Sequence, residues 1–140
     1  MKNNISVNRL QPLNINFDVE SYIEKIMKLK LIKNATIEFN FVDNKYIKNI
    51  NKKYLNKEYA TDIISFNLEE KNKDILGDIY ISIEQAKTNA SNFNNSFENE
   101  IKLLIIHGIL HLLGYRDYTE NEKLEMNKEQ TMLLLQSENQ

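Results

Sequence analysis

From Ile101 to Leu113 the chain is apolar apart from Lys102, His107, Gly108 and His111. A helix hydrophobic on all its sides has to be buried on several of them, so this segment predicts a central helix surrounded by the other elements. It also carries both histidines of the chain, four residues apart. Residues i and i+4 stack on one helix face, which aims both imidazoles at one spot. A lone histidine on an apolar helix is commonly a core residue with a satisfied hydrogen bond. Two of them at this spacing, costly to bury unpartnered, favour a shared ion. Gly114 is the natural stop, because glycine enters the left-handed region of a helix cap without steric penalty. The turn beyond it lets Asp117 approach the same spot. Two imidazoles and one carboxylate suit a zinc ion (Zn2+) with three protein ligands and an open fourth position, the arrangement of a catalytic site. His107, His111 and Asp117 are therefore the candidate metal ligands. Gly108 stands where an H-E-x-x-H protease has its glutamate base, which argues against peptide hydrolysis by that route.

A chain of 140 residues has the length of one domain, spanning 1–140, with a sizeable core. The absence of cysteine excludes thiolate zinc sites and disulfides and fits a reducing compartment. The segment Met1 to Arg9 has no apolar leader, and no run is long enough to span a bilayer. The expectation is a cytoplasmic protein with no membrane partner. A net charge of −2 carries no global nucleic-acid signature, so any site for a polyanion has to be a local patch. Lys45, Lys48 and Lys52 fall at i, i+3 and i+7, and with Lys53 and Lys57 they form a basic stripe that could track an RNA backbone. A solvated face in a lysine-rich chain explains the stripe equally well.

The hydrophobic periods order the rest. Ile5 and Val7 alternate as an opening strand before Pro12, and Asp18 can cap a helix through Val19, Tyr22, Ile23, Ile26 and Met27. Ile37, Phe39 and Phe41 alternate with polar neighbours between Ala35 and Val42, a half-buried strand. Asp43 then starts a second helix with Ile47, Ile50 and Tyr54 on its inner face. Asp62 to Phe66 and Ile75 to Ile83 read as two strands of a hairpin-like antiparallel pair around the polar turn Glu69 to Asp74. Three helices follow, near Ile83–Asn92, Phe97–Leu113 and Thr119–Gln136, with Ser96 and Thr119 as starts. Thr61, Asp62 and Ser65 fall at one strand's edge, where they can line a cleft. Asp78 follows Gly77, where a backbone can approach a ligand closely, or where the carboxylate can brace the sheet. The whole predicts a single α+β domain, a small mixed sheet packed with about five helices and a metal site on the central one.

His107 to Asp117 resembles the H-G-x-L-H-L-x-G-Y-D-H signature of the YbeY family, bacterial endoribonucleases that mature ribosomal RNA. Asn51-Lys52-Lys53-Tyr54 followed by Thr61-Asp62-Ile63-Ile64-Ser65-Phe66 is similar to the family's N-x-x-Y…P-T-D-V-L-S-F stretch, and Leu76 to Ser82 to its L-G-D-I-x-I-S strand. With the match continuing from Ala86 through Glu100, these blocks cover roughly residues 35–136 in the family's order and spacing. The resemblance implies an α+β fold, bound zinc and endoribonuclease action on single-stranded RNA. It also implies partners among small-subunit ribosomal RNA, the small ribosomal subunit and its proteins or assembly factors, with no role on DNA. The role it implies is maturation of the 16S rRNA 3′ end and ribosome quality control.

Two departures stand out. The family's third histidine falls on Asp117 and the aspartate before it on Arg116. Zinc accepts carboxylate oxygen at about the distance of imidazole nitrogen. A one-residue shift would put Tyr118 at the ligand position instead, but Gly114 and Tyr115 anchor the register without a gap. The second departure is Leu55, which stands where family members commonly carry an arginine important for catalysis. Leucine donates nothing to a phosphate. Arg116, whose planar fork suits a phosphate, and Lys57 are the candidate substitutes. The alternative reading is a ribosome-associated zinc-binding assembly factor with little or no nuclease activity.

Overall fold

The computed structural model describes residues 3–68 and 74–138. Its elements run β1 (Asn4–Arg9), α1 (Val19–Leu29), β2 (Thr36–Val42), α2 (Asn44–Ile50), β3 (Ile63–Asn67), β4 (Leu76–Ser82), α3 (Ile83–Asn92), α4 (Phe97–Leu112) and α5 (Glu120–Glu138). A single π-helical turn, Asn51–Leu55, continues α2. The four strands make one mixed sheet in the order β1-β2-β4-β3, the α+β arrangement expected. β2 is parallel to both β1 and β4, while β3 runs antiparallel to β4 as the predicted pair. Of the expected turn Glu69 to Asp74, residues 69–73 lie outside the described residues.

The alternation in β2 sets the main dry face of the sheet. At the strand's C-terminal end Asn40 and Val42 are buried on the other face as well, Val42 in a small cluster with Ile47 and Ile64, so the strand is not half-buried there as expected. Ile37, Phe39 and Phe41 are buried. Phe39 lies between Val7 of β1 and Ile79 of β4, and Phe41 lies beside Ile81, so the three strands present a continuous apolar floor. Asp18 caps α1 through the Ser21 N–H at 3.0 Å. From that start α1 lays Val19, Tyr22, Ile23, Ile26 and Met27 into the core over this floor. α4 completes the layer. Its buried residues include Ile101, Leu104, Ile105, Ile106, Ile109, Leu110 and Leu112, and it touches α1, α3, α5, β3 and β4. It is the surrounded helix that its composition demands.

Gly77 sets how closely α4 approaches the sheet. A Cβ at this position would lie 2.6 Å from Leu112 Cδ2 and 3.0 Å from the Phe66 carbonyl oxygen. The close approach that a strand glycine permits is therefore made by a helix and not by a ligand. Gly77→Val is expected to cost about 1–3 kcal/mol of stability by overpacking, and to displace Leu112, the neighbour of His111. Denaturant unfolding measures the cost, and an unchanged midpoint would show that the helix yields freely.

Asp78 points to the other face, beside Glu38 of β2. Burial, then the Glu38 charge, push its carboxyl above the ordinary range. The ionised form is thus disfavoured by folding, and Asp78→Asn should raise the melting temperature at neutral pH. A raised carboxyl pKa gives a penalty present above the folded pKa and gone below the unfolded one. The advantage of the variant should accordingly vanish as the pH falls through the carboxylate range. Melts at the two extremes test this, and an advantage that persists in acid would exclude the charge as its cause.

α2 departs from expectation. Asp43 caps it, accepting from the Tyr46 N–H at 2.8 Å, and Ile47 is buried. Tyr54, expected on the inner face, is 58% exposed, with the edge of Phe66 at a centroid distance of 5.7 Å and the Lys53 ammonium 5.2 Å from its ring. The cause is the π turn, whose wider hydrogen-bond spacing breaks the 3.6-residue period. Asn51 turns inward in place of Tyr54. Its amide donates to the Tyr59 carbonyl at 2.8 Å and to Thr61 Oγ1 at 3.3 Å, fastening the loop before β3.

Candidate metal centre and its cleft

The candidate metal centre is built on the end of α4. Gly114 has a φ of +101°, which lets the chain reverse there. The Gly114 N–H donates to the His111 carbonyl at 3.0 Å and the Tyr115 N–H to the Leu110 carbonyl at 3.0 Å, the paired bonds of a Schellman cap. The cap does more than end the helix. Its Tyr115 carbonyl lies 3.1 Å from His111 Nδ1. The loop is anchored by Lys30, whose ammonium reaches Tyr115 Oη at 3.3 Å and Glu129 of α5 at 3.1 Å.

A carbonyl can only accept, so His111 Nδ1 carries the proton and Nε2 its lone pair. His107 Nδ1 meets the Gln130 side-chain oxygen at 2.9 Å and is fixed in the same sense from α5. The two Nε2 atoms then face each other at 3.0 Å, lone pair towards lone pair, an arrangement that a cation between them relieves. Asp117 Oδ2 stands 3.7 Å from His111 Nε2, and one ligand atom from each of the three residues lies within 4.8 Å of the others. Bonds of about 2.1 Å at tetrahedral angles separate ligand atoms by about 3.4 Å, so the set can close on a metal by small rotations. Burial first, then the neighbouring His107, hold the His111 imidazole below its ordinary pKa, against the opposing pull of Asp117 and the Tyr115 carbonyl. Neutral imidazole is the form that binds a metal.

A cleft of about 610 Å³ opens over the three residues. Thr61, Asp62 and Ser65 line it as expected, and so do Leu55, Lys57 and Arg116. The Arg116 guanidinium rests over the Tyr118 ring at 5.5 Å, with Nε 3.5 Å from Glu122 Oε2. Glu122 is itself fixed by reciprocal capping with Thr119, accepting from the Thr119 N–H at 3.0 Å while Thr119 Oγ1 accepts from the Glu122 N–H at 3.1 Å. Tyr118, the alternative ligand under a shifted register, is 78% exposed under Arg116. Lys45, Lys48 and Lys52 are exposed, and none lines this cleft. Of the basic stripe only Lys57 reaches it, because the π turn and the left-handed Asn56 (φ +55°) carry the chain round towards α4. The acceptors that hold the two imidazoles, Gln130 and the Tyr115 carbonyl, had no signature in the sequence.

Proteins of known family have sequences similar to this one. The endoribonuclease YbeY of Karelsulcia muelleri (strain GWSS) is 50% identical over 99 residues, 70% of this chain and 69% of that one. The endoribonuclease YbeY of Acholeplasma laidlawii (strain PG-8A) is 44% identical over 107 residues, 76% of this chain and 77% of its own. Among solved structures, the solution structure of TM1509 from Thermotoga maritima superimposes with a TM-score of 0.64 at 25% identity, covering 96% of this chain and 88% of that one. The family model described as Endoribonuclease YbeY matches residues 4–138, nearly the whole sequence. The chain belongs to the endoribonuclease YbeY family.

Proposed function

We propose that the chain is a zinc-dependent endoribonuclease that cleaves single-stranded RNA and acts in the cytoplasm on the 3′ end of 16S rRNA and in ribosome quality control. The observation that carries this is the convergence of His107 Nε2, His111 Nε2 and the Asp117 carboxylate in a cleft that also holds Lys57 and Arg116. His107, His111 and Asp117 would hold the zinc, which supplies Lewis acidity at the phosphoryl group when bound. Gln130 and the Tyr115 carbonyl keep the two imidazoles in the ligating tautomer. Arg116 and Lys57 stabilise the charge that builds on the phosphate oxygens. The exposed Lys45, Lys48 and Lys52 contribute only longer-range attraction. With a slightly negative chain, specificity then comes from docking on the small ribosomal subunit more than from affinity for free RNA.

Single-stranded RNA, single-stranded DNA and a peptide are offered to the purified protein before and after chelation. RNA alone should be cut, chelation should stop it, and zinc should restore it. Cleavage that survives complete metal removal would sink the reading. A second reading is favoured by Leu55, which lines the cleft where the family carries its arginine. It is a zinc-binding assembly factor on the small subunit with little cleavage of its own. If the chain is an active nuclease, cells depleted of it should accumulate small-subunit RNA with unprocessed 3′ ends. Rescue of those ends by a protein that binds zinc but cuts no RNA when purified would favour the assembly factor.

A further inference from the structure

His107 separates two clefts. The first holds Lys57 and Arg116, and the second, of about 630 Å³, lies against the turn between α3 and α4. Both are lined by Asp62, Ile63 and His107, so the second adjoins the first at the candidate metal centre. Their chemistries differ. Among its described lining residues the second cleft has no lysine or arginine; it carries the carboxylates of Asp62 and Glu100 and the amides of Asn95 and Asn127. Such a lining repels a phosphate, yet it offers the donors and acceptors that pair with the edge of a nucleobase.

At the mouth of this cleft stands Phe93, 76% exposed. The backbone beneath it is fixed, not loose. Its N–H donates to the Asn89 carbonyl at 2.9 Å, Asn94 takes a φ of +54°, and the Asn95 N–H returns to the Ala90 carbonyl at 2.8 Å. The turn thus holds a large apolar ring in water beside a polar recess. The recess has spare capacity, since among the described residues the buried Glu100 carboxylate accepts two long bonds, 3.4 Å from Asn89 and 3.5 Å from Asn95. Burial raises the pKa of that carboxyl, against the opposing pull of the Asn89 and Asn95 amides, and the charge of Asp62 adds to the rise.

We infer that the second cleft is a nucleobase subsite, in which Phe93 stacks on the base of a nucleotide flanking the scissile phosphate while Glu100, Asn95 and Asn127 pair with its edge. The inference rests on the endoribonuclease reading and deepens it. Phosphates lie along the side of His107 that holds Lys57 and Arg116, and one base turns into the side that holds Glu100. Stacking on an aromatic ring is sequence-tolerant, because every base has a π-face. The carboxylate adds a preference for bases that present an amino group, namely adenine, cytosine and guanine over uracil.

Steady-state cleavage by the zinc-loaded protein is measured on a set of short single-stranded RNAs, each with one abasic position. Phe93→Ala should raise KM about tenfold with kcat nearly unchanged, the scale of one lost stacking contact, and Phe93→Trp should restore it. On the RNA that lacks the base at the flanking position, KM should already be raised, and Phe93→Ala should add nothing further. Because Phe93 is exposed, the alanine variant should melt like the parent. If the parent cleaves RNA and Phe93→Ala leaves KM within twofold on every RNA, the subsite is overturned and the exposed ring belongs to a contact with a protein. If the parent neither cleaves nor binds any RNA, the endoribonuclease reading falls and takes the subsite with it.

Discussion

Replacing His111 by alanine is expected to empty the metal site and lower RNA cleavage about a thousandfold or more, since the charge stabilisation a bound metal supplies is worth several kcal/mol. The effect is large because His111 is central to the cluster: its Nε2 lies 3.0 Å from His107 Nε2 and 3.7 Å from Asp117 Oδ2. Its loss leaves one imidazole and one half-buried loop carboxylate, too few ligands for a stable zinc site. Stability should fall with occupancy, because a ligand that binds only the native state stabilises it by mass action. At zinc about a hundredfold above Kd, the parent should gain about 2.7 kcal/mol that the variant lacks. Elemental analysis and melts with and without zinc read both effects. A variant that retains one metal per chain and the parent's zinc-dependent melting shift would remove His111 from the site.

What the residue pattern revealed and what it concealed divide along a physical line. Features set by local chemistry were legible. Ser96 accepts from the Asn99 N–H at 3.0 Å, Gly114 takes positive φ, and the i,i+4 histidines share a face, each determined by residues within one turn of the chain. The candidate cluster was legible for that reason, since helix, cap and loop lie within eleven consecutive residues, 107–117. The inward face of α2 differs from its hydrophobic period because Tyr54 lies within a π turn that no such period announces. Contacts between distant segments were silent altogether. Gln130 reaches His107 from a different helix, and Lys57 enters the cleft from a loop ordered by buried Asn51. The lysine stripe looked continuous in sequence, but the same π turn separates its last member from the rest. Composition bounded the fold, while the tuning of the site depended on tertiary neighbours.

Arg116→Ala is expected to lower RNA cleavage roughly ten- to a hundredfold while leaving the metal bound, the loss that follows removal of one charge-stabilising donor from an open site. Leu55 supplies no such donor, and Arg116 lines the same cleft. Its guanidinium is poised and not locked. The side chain is largely exposed, its Nε contact with Glu122 is a long 3.5 Å, and the Tyr118 ring supports it from one face. A phosphate can compete for such a cation, because a bidentate bond to a planar fork is stronger than a long surface ion pair. Arg116→Lys should recover only part of the loss, since an ammonium lacks that fork. Leu55→Arg places the family's donor back on the cleft wall, and in the Arg116→Ala background it should restore most of the cleavage. Two donors serving one phosphate give effects that are less than additive, so Leu55→Arg alone should raise cleavage by less than it does in that background. Metal content measured alongside separates lost charge from a lost site. If cleavage is unchanged in Arg116→Ala and in Leu55→Arg, neither position meets the phosphate, and Lys57 is left as the cation that the cleft sets against it.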